Sequence, residues 1–491
     1  MRKGIYFWFT IILAAAVIAG GYMYFGHRPV TLTVSEVLPA VEEGLPYVLV
    51  VAPGDQIGAE IPEEVVRKAS LRSKSYYRLM HGLLPLAGLS KETALLAVGA
   101  RDTGKAELYG AFLFTIKETS ALSSGRVPET WKEALPEVSA ERTGKNRYRM
   151  SLGADAPELY FITRGDMLLL SLEEAGIDRM IETIDDPASR MNVSWTLETA
   201  WPGHFLFNDG GVLAEKASFD GLDVGYAPIR LEAAWEKTGG KGILAWSIGG
   251  IEGWIPPEIK EALQGHFWRE ELYMPEPLIA AAGFNLPRVV PGGSKLWDEL
   301  SEAAETLGVG TDLLARVLEG PAMIAVGGRS RLLLVNLPGF LLELPDRGKE
   351  GIELVKTLWE RDFMRVPMEP RPLEGFEAGG SLSIPLTVVG AASEELVVMG
   401  AMDVSEIGEL LPLKSIFDLP ETAPAWVYVD FPKAAQALRN LSTAGGLAQK
   451  IGISGGEGLE ELAESAEKLA ELGKILVVIQ DYKTGRISWE Q

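Results

Sequence analysis

The sequence contains no cysteine at all, and it has only four histidines. A chain without cysteine has no disulfides, thiolate nucleophiles, cysteine zinc sites or cysteine-ligated iron–sulfur clusters. The histidines share no metal-ligand spacing, and two of them precede a phenylalanine, which favours a role in packing. They are His27, His81, His204 and His266. We therefore assign no metal ligand and no cofactor-binding residue.

Positive charge is also scarce. The chain has 46 Lys and Arg against 68 Asp and Glu, a formal net charge of −22. Nucleic-acid binding depends on basic side chains that neutralise phosphates, and anionic lipid head groups attract basic segments in the same way. The composition therefore predicts no nucleic-acid partner and argues against docking on an anionic lipid surface.

Three short motifs resemble catalytic signatures, but each lacks a part that its chemistry requires. The segment 99–106 approaches a phosphate-binding loop, yet Ala106 replaces the required hydroxyl and a strand pattern follows. The triplet beginning at Asp102 lacks the second copy of an aspartic protease. A nucleophile elbow at Ser454 needs a later histidine, and His266 is the last in the chain. We assign no catalytic residue and predict that the protein is not an enzyme.

The N-terminus carries a long uncharged run, Gly4 to Gly26. At about 1.5 Å per residue, such a run crosses a hydrocarbon core about 30 Å thick. Arg2 and Lys3 precede it, and positively charged flanks normally stay in the cytoplasm. We predict a single-pass anchor within 1–30 in the cytoplasmic membrane, with the N-terminus inside and the bulk of the chain outside the cytoplasm.

A cleavable signal peptide is the alternative interpretation of this segment. Val17-Ile18-Ala19 forms an acceptable cleavage site, and the apolar core of a signal peptide is typically about 7–15 residues long. The apolar sequence continues to Phe25, which favours an uncleaved anchor.

Beyond the anchor, five segments recur in the same order, at offsets between 223 and 246 residues. The matches are Pro46 with Pro277, Ala97-Val98-Gly99 with Ala325-Val326-Gly327, Leu168 with Leu396, Glu198 with Glu421, and Lys237-Thr238-Gly239 with Lys483-Thr484-Gly485. An ordered series of this kind indicates an internal duplication. Generic similarity between β-hairpins is the alternative explanation.

The duplication sets the expected domain boundaries. Two modules cover 36–255 and 276–491, and a linker with a short helix, 256–275, joins them. Apolar runs after a proline predict strands, and turns that contain glycine predict hairpins, which pair antiparallel. Helices are expected at 61–82, 172–184, 294–308, 312–319, 403–411 and 456–472.

The predicted fold class is therefore α+β. An N-terminal transmembrane helix precedes two tandem, similar modules, each an antiparallel sheet with helices packed on one face. The segment 456–472 predicts a strongly amphipathic helix, with Leu459, Leu462, Ala466 and Leu469 in one stripe.

This plan resembles a group of uncharacterised bacterial membrane-anchored envelope proteins with duplicated α+β modules. Three features carry the resemblance: Leu38-Pro39 after the anchor, the two Ala-Val-Gly strands, and the run from Gly165 to Ser171. The resemblance covers most of the chain beyond the anchor and implies a place in the cell envelope. It carries over no functional residue, because that group has no established motif.

We expect a non-enzymatic, membrane-anchored extracytoplasmic protein that binds or scaffolds another envelope component. The membrane is the expected partner of Gly4 to Gly26, and an envelope protein or a lipid is the expected partner of the modules. One alternative is a carrier of lipid or another apolar ligand, held between sheet and helices. Another is a hydrolase that uses scattered carboxylates.

Washing membranes with carbonate tests the anchor. We expect the full-length chain to stay in the membrane pellet, because a spanning helix resists extraction, and a chain that lacks 1–30 to appear in the supernatant. A mature protein that begins near Gly20, measured by intact mass, would instead establish the signal peptide.

Overall fold

The structure is a computed structural model. The residues that it describes are 47–53, 79, 82–83, 85–90, 93–100, 106–153, 156–186, 197, 201–208, 228–253, 255, 257–264, 271–289, 295–332, 335–360, 370–383, 387–403, 407–412, 417, 423–450, 470 and 473–490. The predicted anchor and nearly all of the helix expected at 456–472 lie outside these residues. The chain divides into two compact units at Trp254 and Ile255.

The first unit, which precedes this boundary, is built on one sheet. Its described strands are β1 (Tyr47–Pro53), β2 (Thr93–Ala100), β3 (Ala106–Leu113), β4 (Ser139–Gly144), β5 (Arg147–Ser151), β6 (Leu159–Arg164), β7 (Met167–Ser171), β8 (Gly203–Asn208), β9 (Arg230–Thr238) and β10 (Lys241–Gly249). They lie in the spatial order β4–β5–β6–β7–β3–β2–β1–β8–β9–β10, and each neighbouring pair is antiparallel.

Local sequence explains the hairpins and helices of this unit. The β6–β7 turn passes through Gly165 with a φ of +67°, a conformation that glycine adopts without strain. Helix α1 (Ile116–Leu122) begins with a capping box in which Thr115 and Glu118 satisfy each other's backbone amides. Helix α2 (Glu174–Asp185) buries one apolar stripe and lies against β3, β6 and β7, close to where a helix was predicted.

The second unit also contains one large sheet, together with a two-stranded ribbon. Its described strands are β11 (Glu271–Pro275), β12 (Leu278–Leu286), β13 (Gly320–Leu332), β14 (Val335–Pro345), β15 (Ala378–Leu382), β16 (Val388–Ala392), β17 (Leu396–Ala401), β18 (Ile407–Pro412), β19 (Ala425–Asp430), β20 (Lys474–Ile479) and β21 (Thr484–Glu490). The large sheet has the order β15–β16–β17–β14–β13–β12–β19–β20–β21. Strands β11 and β18 form the ribbon.

Five described helices belong to this unit: α3 (Pro257–Ala262), α4 (Lys295–Leu307), α5 (Thr311–Leu318), α6 (Gly348–Glu360) and α7 (Phe431–Lys450). Helices α4 and α5 lie where the sequence predicted them. The mixed α+β class with antiparallel pairing is confirmed.

The helix predicted at 403–411 is wrong, because this segment contains strand β18. Its apolar residues have helical spacing, but Gly408 and Pro412 are poor helix formers. The segment instead pairs with β11, with Leu411 opposite Leu272 and Leu410 opposite Tyr273.

The two large sheets have the same strand order. From β5 onward, the nine strands β5–β6–β7–β3–β2–β1–β8–β9–β10 correspond one by one to β15–β16–β17–β14–β13–β12–β19–β20–β21. The correspondence extends to register. Leu206 of β8 pairs with Leu49 and Glu232. Past a bulge between Leu278 and Ala280, Tyr428 of β19 likewise pairs with Ala281 and Leu476.

Register also tests the sequence matches residue by residue. Tyr47 pairs with Gly99, and Leu278 pairs with Gly327, as the first two matches require. Two other matches are shifted. The paired rows place Leu168 opposite Val397 of the other unit, one residue from Leu396, and Trp235 opposite Ile479, so that Lys237 falls two residues from Lys483. Hairpins of different length cause these shifts.

A buried arginine holds the helical end of the second unit together. Arg347 donates hydrogen bonds to the carbonyls of Val317 (2.5 Å), Pro321 (2.6 Å) and Pro345. The carbonyl of Val317 belongs to the last turn of helix α5, and those of Pro321 and Pro345 lie at adjacent ends of β13 and β14. Burial lowers the pKa of Arg347 to about 10, so the guanidinium remains charged at neutral pH.

Replacing Arg347 with Met tests this role. We expect Arg347→Met to lower the free energy of unfolding by about 3 kcal/mol, because three buried carbonyls lose their donors. Arg347→Lys should restore only part of the loss, since one ammonium cannot reach all three carbonyls. Urea denaturation measures both variants, and an unchanged midpoint for Arg347→Met would refute this role.

Candidate functional site

One face of the second large sheet is apolar along two complete rows of paired residues. In the first row Ile324 lies between Ala282 and Leu342, and in the second Val326 lies between Ala280 and Phe340. We call the ten residues of these rows on strands β17, β14, β13, β12 and β19 the apolar platform. They are Met399, Leu342, Ile324, Ala282, Val427, Ala401, Phe340, Val326, Ala280 and Val429.

The platform is open to solvent. Phe340 is 50% exposed and Ile324 is 40% exposed, and the other eight side chains are half-buried. Among the described residues, one other large apolar side chain is exposed: Ile116 in the first unit. A contiguous exposed apolar surface of this kind is typical of an interaction site, whereas single exposed apolar residues are ordinary.

Helices border the platform at one end. Next to the first row, Ala322, Leu344 and Val397 of the same face are buried in a core cluster with helices α4, α5 and α6. Leu342 and Met399 of the first row also pack against this cluster, so the platform continues the helix–sheet core beyond the part that the helices cover.

Helix α7 begins at the other end of the platform. Asp430 caps its first turn by accepting a hydrogen bond from the amide of Lys433 at 3.1 Å. The Lys433 ammonium donates to the carbonyl of Leu278, at the start of β12, at 3.1 Å. The amide of Phe431 donates to the carbonyl of Gly473, next to β20, at 3.0 Å. These contacts fix the basic first turn of α7 beside the second row.

In the first unit, the counterpart of the face covered by β11 and β18 is also buried. Leu49 and Leu206, the counterparts of Ala281 and Tyr428, are fully buried, and Tyr109 is nearly so. They share a core cluster with Met180 of helix α2. Helix α2 therefore covers in the first unit the face that the ribbon covers in the second.

Different elements cover this face because the chain differs after the third strand of the shared order. In the first unit, β7 is followed by α2. In the second unit, β17 is followed by β18, which pairs with β11. Leu272 and Met274 of β11 pack on Met323 and Ala325, which face away from the platform. The buried Glu343 accepts a hydrogen bond from the amide of Tyr273 at 3.1 Å and secures this ribbon.

The first unit holds a second candidate, a titratable cluster on β1, β8 and β9. Glu232 is 1% exposed and forms an ion pair with Arg230 at 2.8 Å. Its other carboxylate oxygen accepts from the amide of Leu197 at 3.2 Å. His204 and Tyr47 lie on the same face of the sheet as Glu232. Side chains alternate between the two faces along a strand, and the pairing of β1, β8 and β9 places these three on one side.

Burial dominates the electrostatics of this cluster. It lowers the pKa of His204, although the Trp201 backbone and the Glu232 carboxylate act in the opposite direction. Burial likewise raises the pKa of Tyr47, and the charge of Arg230 counteracts this shift. His204 is therefore neutral at pH 7.

The second unit lacks this cluster. The register places Leu278, Trp426, Lys474 and Leu476 at the positions of Tyr47, His204, Arg230 and Glu232. The buried histidine and the buried carboxylate are thus particular to the first unit, while the strands that carry them are common to both.

Sequence reasoning missed both sites. His204 was interpreted as a packing residue because Phe205 follows it, and the structure places it in the titratable cluster. No sequence pattern singles out Ile324 or Phe340, since their exposure depends on which helices cover the sheet. Within the described residues, no group of three or more His, Asp or Glu side chains is arranged to hold a metal ion. The helices of that part include none that is long and apolar enough to span a bilayer.

Comparisons with known proteins add little. The sequence matches no family model and no curated protein. A solved structure titled crystal form III of TP0453 is 9% identical and covers 49% of this chain and 90% of its own, with a TM-score of 0.28. Crystal form I of TP0453 is 10% identical and covers 48% and 88%, with the same TM-score. Likeness at this level gives no information on function.

Acidification tests the environment of His204. Its folded pKa lies below the unfolded value of about 6.5. As the pH falls through about 6.5, the histidine of the unfolded chain binds a proton before that of the folded chain does. Acidification therefore lowers the free energy of unfolding. When the pH is lowered from 7.5 to 5, the melting temperature of His204→Gln should fall less than that of the original chain. Equal losses in thermal melts would contradict a buried, neutral histidine.

Proposed function

We propose that this chain is a non-enzymatic, membrane-anchored extracytoplasmic protein that binds a component of the cell envelope. The apolar platform is the observation that carries this proposal. It is a contiguous face with two large exposed side chains, Ile324 and Phe340, on an otherwise well-covered sheet. Exposing large apolar side chains to water is unfavourable, and a bound partner that covers them removes this cost.

The anchor and the duplication complete this proposal. The uncharged run from Gly4 to Gly26 supports attachment to the cytoplasmic membrane, with the modules outside the cytoplasm. The common strand order and the shared register of Leu206 and Tyr428 support two tandem copies of one module. Duplication allows one copy to keep a covered core while the other exposes a binding face.

The buried carboxylates of the described residues have structural partners. Asp430 caps α7, Glu343 holds β11, and Glu232 pairs with Arg230. These roles support a binding protein over a hydrolase that uses scattered carboxylates.

A carrier of lipid or another apolar ligand is the second candidate function, and the same platform favours it. Its ten side chains carry no hydrogen-bonding group, which suits an acyl chain as well as an apolar protein surface. Native mass spectrometry of the purified protein separates the two functions. A carrier retains a lipid mass that disappears in a platform variant.

Site-specific photocrosslinking in cells tests the binding function. We expect a photoreactive residue at position 340 to give a discrete crosslinked species, because a partner covers Phe340. The double variant Ile324→Ser/Phe340→Ser should abolish the biological effect of the protein while changing the free energy of unfolding by no more than about 2 kcal/mol, since each side chain is about half exposed.

Position 116 provides the matched control. Ile116 is 70% exposed and belongs to the first unit, which does not contain the platform. A photoreactive residue at 116 should give no discrete species, and Ile116→Ser should leave function intact. Identical crosslinking at positions 116 and 340, or none at either, would overturn the proposal.

A further inference from the structure

We infer that the apolar platform binds one acyl chain of a membrane phospholipid, in a groove above strand β12. This inference rests on the proposed binding function and names the envelope component that is bound. It follows from three observations: a strip of small residues on β12, the larger residues at the matched positions of the first unit, and the limited area of the exposed surface.

Strand β12 forms the floor of the groove. Its two platform residues, Ala280 and Ala282, carry only a methyl group each. The residues paired with them on both sides are β-branched: Val326 and Ile324 on β13, and Val429 and Val427 on β19. Both alanines are half-buried, so water still reaches the floor between the larger side chains.

Phe284 limits the groove at one end. It lies on the same face of β12, beyond Ala282, and packs against the core cluster of helices α4, α5 and α6. At about 3.3 Å per residue, the strand covers about 20 Å between Leu278, where it begins, and Phe284. The groove is therefore long and only one strand wide, a form that suits a linear hydrocarbon chain.

The matched strip of the first unit is filled. There, Val50 stands at the position of Ala282, and it is buried. Its partner on β8 is Phe205, where the second unit has Val427 on β19. One backbone thus carries a bulkier pair in the first unit and a smaller, accessible pair in the second. The groove is particular to the unit that holds the platform.

The exposed area separates a lipid chain from a protein partner. Two exposed and eight half-buried side chains present roughly 300–600 Å² to water, the range of the largest patch on an ordinary monomer. Each partner in a stable protein complex contributes about 800 Å². An α-helix with its side chains is about 10–12 Å across, whereas the walls of the groove stand on strands about 10 Å apart. A single hydrocarbon chain is narrow enough to lie between them.

The chemistry of the platform also favours a hydrocarbon chain. Its ten side chains carry no hydroxyl, amide or charged group. Protein interfaces contain about one hydrogen bond per 100–200 Å², whereas methylene groups need none. The net charge of −22 disfavours recognition of an anionic head group, so the acyl chain is the part that the protein binds.

The photoreactive residue at position 340 identifies the occupant. After crosslinking in cells, the full chain is purified from membranes, and the modified peptide is analysed by mass spectrometry. We expect an adduct with the mass of a phospholipid. Mild alkaline hydrolysis should then remove the glycerophosphate head group and leave one fatty acid attached, because the acyl chain is the part that lies in the groove.

A variant with side chains of the first unit fills the groove. Ala282→Val/Val427→Phe introduces the pair that Val50 and Phe205 form at the matched positions, so the sheet tolerates this pair. We expect the phospholipid adduct at 340 to fall at least roughly tenfold, because fewer methylene groups of the acyl chain leave water. Native mass spectrometry of the purified chain should show the same loss of bound phospholipid.

Two single variants complete the test. Ala282→Val makes a smaller change and should lower both signals roughly threefold. Ala401→Val enlarges a platform residue on β17, outside the groove, and should leave the phospholipid retained in native mass spectrometry unchanged. Urea denaturation checks that each variant is folded. If the double variant is not, Ala282→Val and Ala401→Val decide the result.

Three outcomes would overturn this inference. They are an adduct at 340 with the mass of a protein, a phospholipid adduct that releases both fatty acids on hydrolysis, and phospholipid signals that filling the groove does not reduce. A protein adduct still supports the proposed binding function, whereas the absence of any adduct at 340 removes both.

Discussion

An antiparallel sheet has two faces, and each must be covered by something apolar or remain open to water. Both units of this chain solve the problem with the same strand order, and they differ in the element that follows the third strand of that order. Helix α2 covers one face of the first sheet. In the second sheet, β18 instead joins β11 over the corresponding face. The apolar platform lies on the other face of the second sheet and stays exposed at Ile324 and Phe340.

The two units also diverge in polarity at matched positions. The row that holds Leu49, Leu206 and Glu232 in the first unit holds Ala281, Tyr428 and Leu476 in the second. One unit thus buries a carboxylate at a position where the other buries a leucine. A common backbone fixes where side chains point, so substitutions at matched positions change the polarity of a row without changing the fold.

Much of the fold followed from the sequence pattern, and the sites did not. Prolines before apolar runs, glycine turns and helical spacing predicted the hairpins, α4 and α5 correctly. The segment 403–411 failed because its apolar spacing suits a helix, while pairing with β11 is decided by distant residues. Likewise, His204 was assigned to packing, because no local pattern shows that Glu232 lies on the neighbouring strand.

The sequence by itself determined the class of the fold and the ordered recurrence of its segments, since both depend on periodicity and turn chemistry along the chain. It also determined the acidic charge of −22 and the absence of cysteine chemistry. Only the tertiary structure decided which apolar residues are covered. Phe340 and the buried Leu341 are neighbours in one strand, and their difference in exposure depends on helices and strands far away in the sequence.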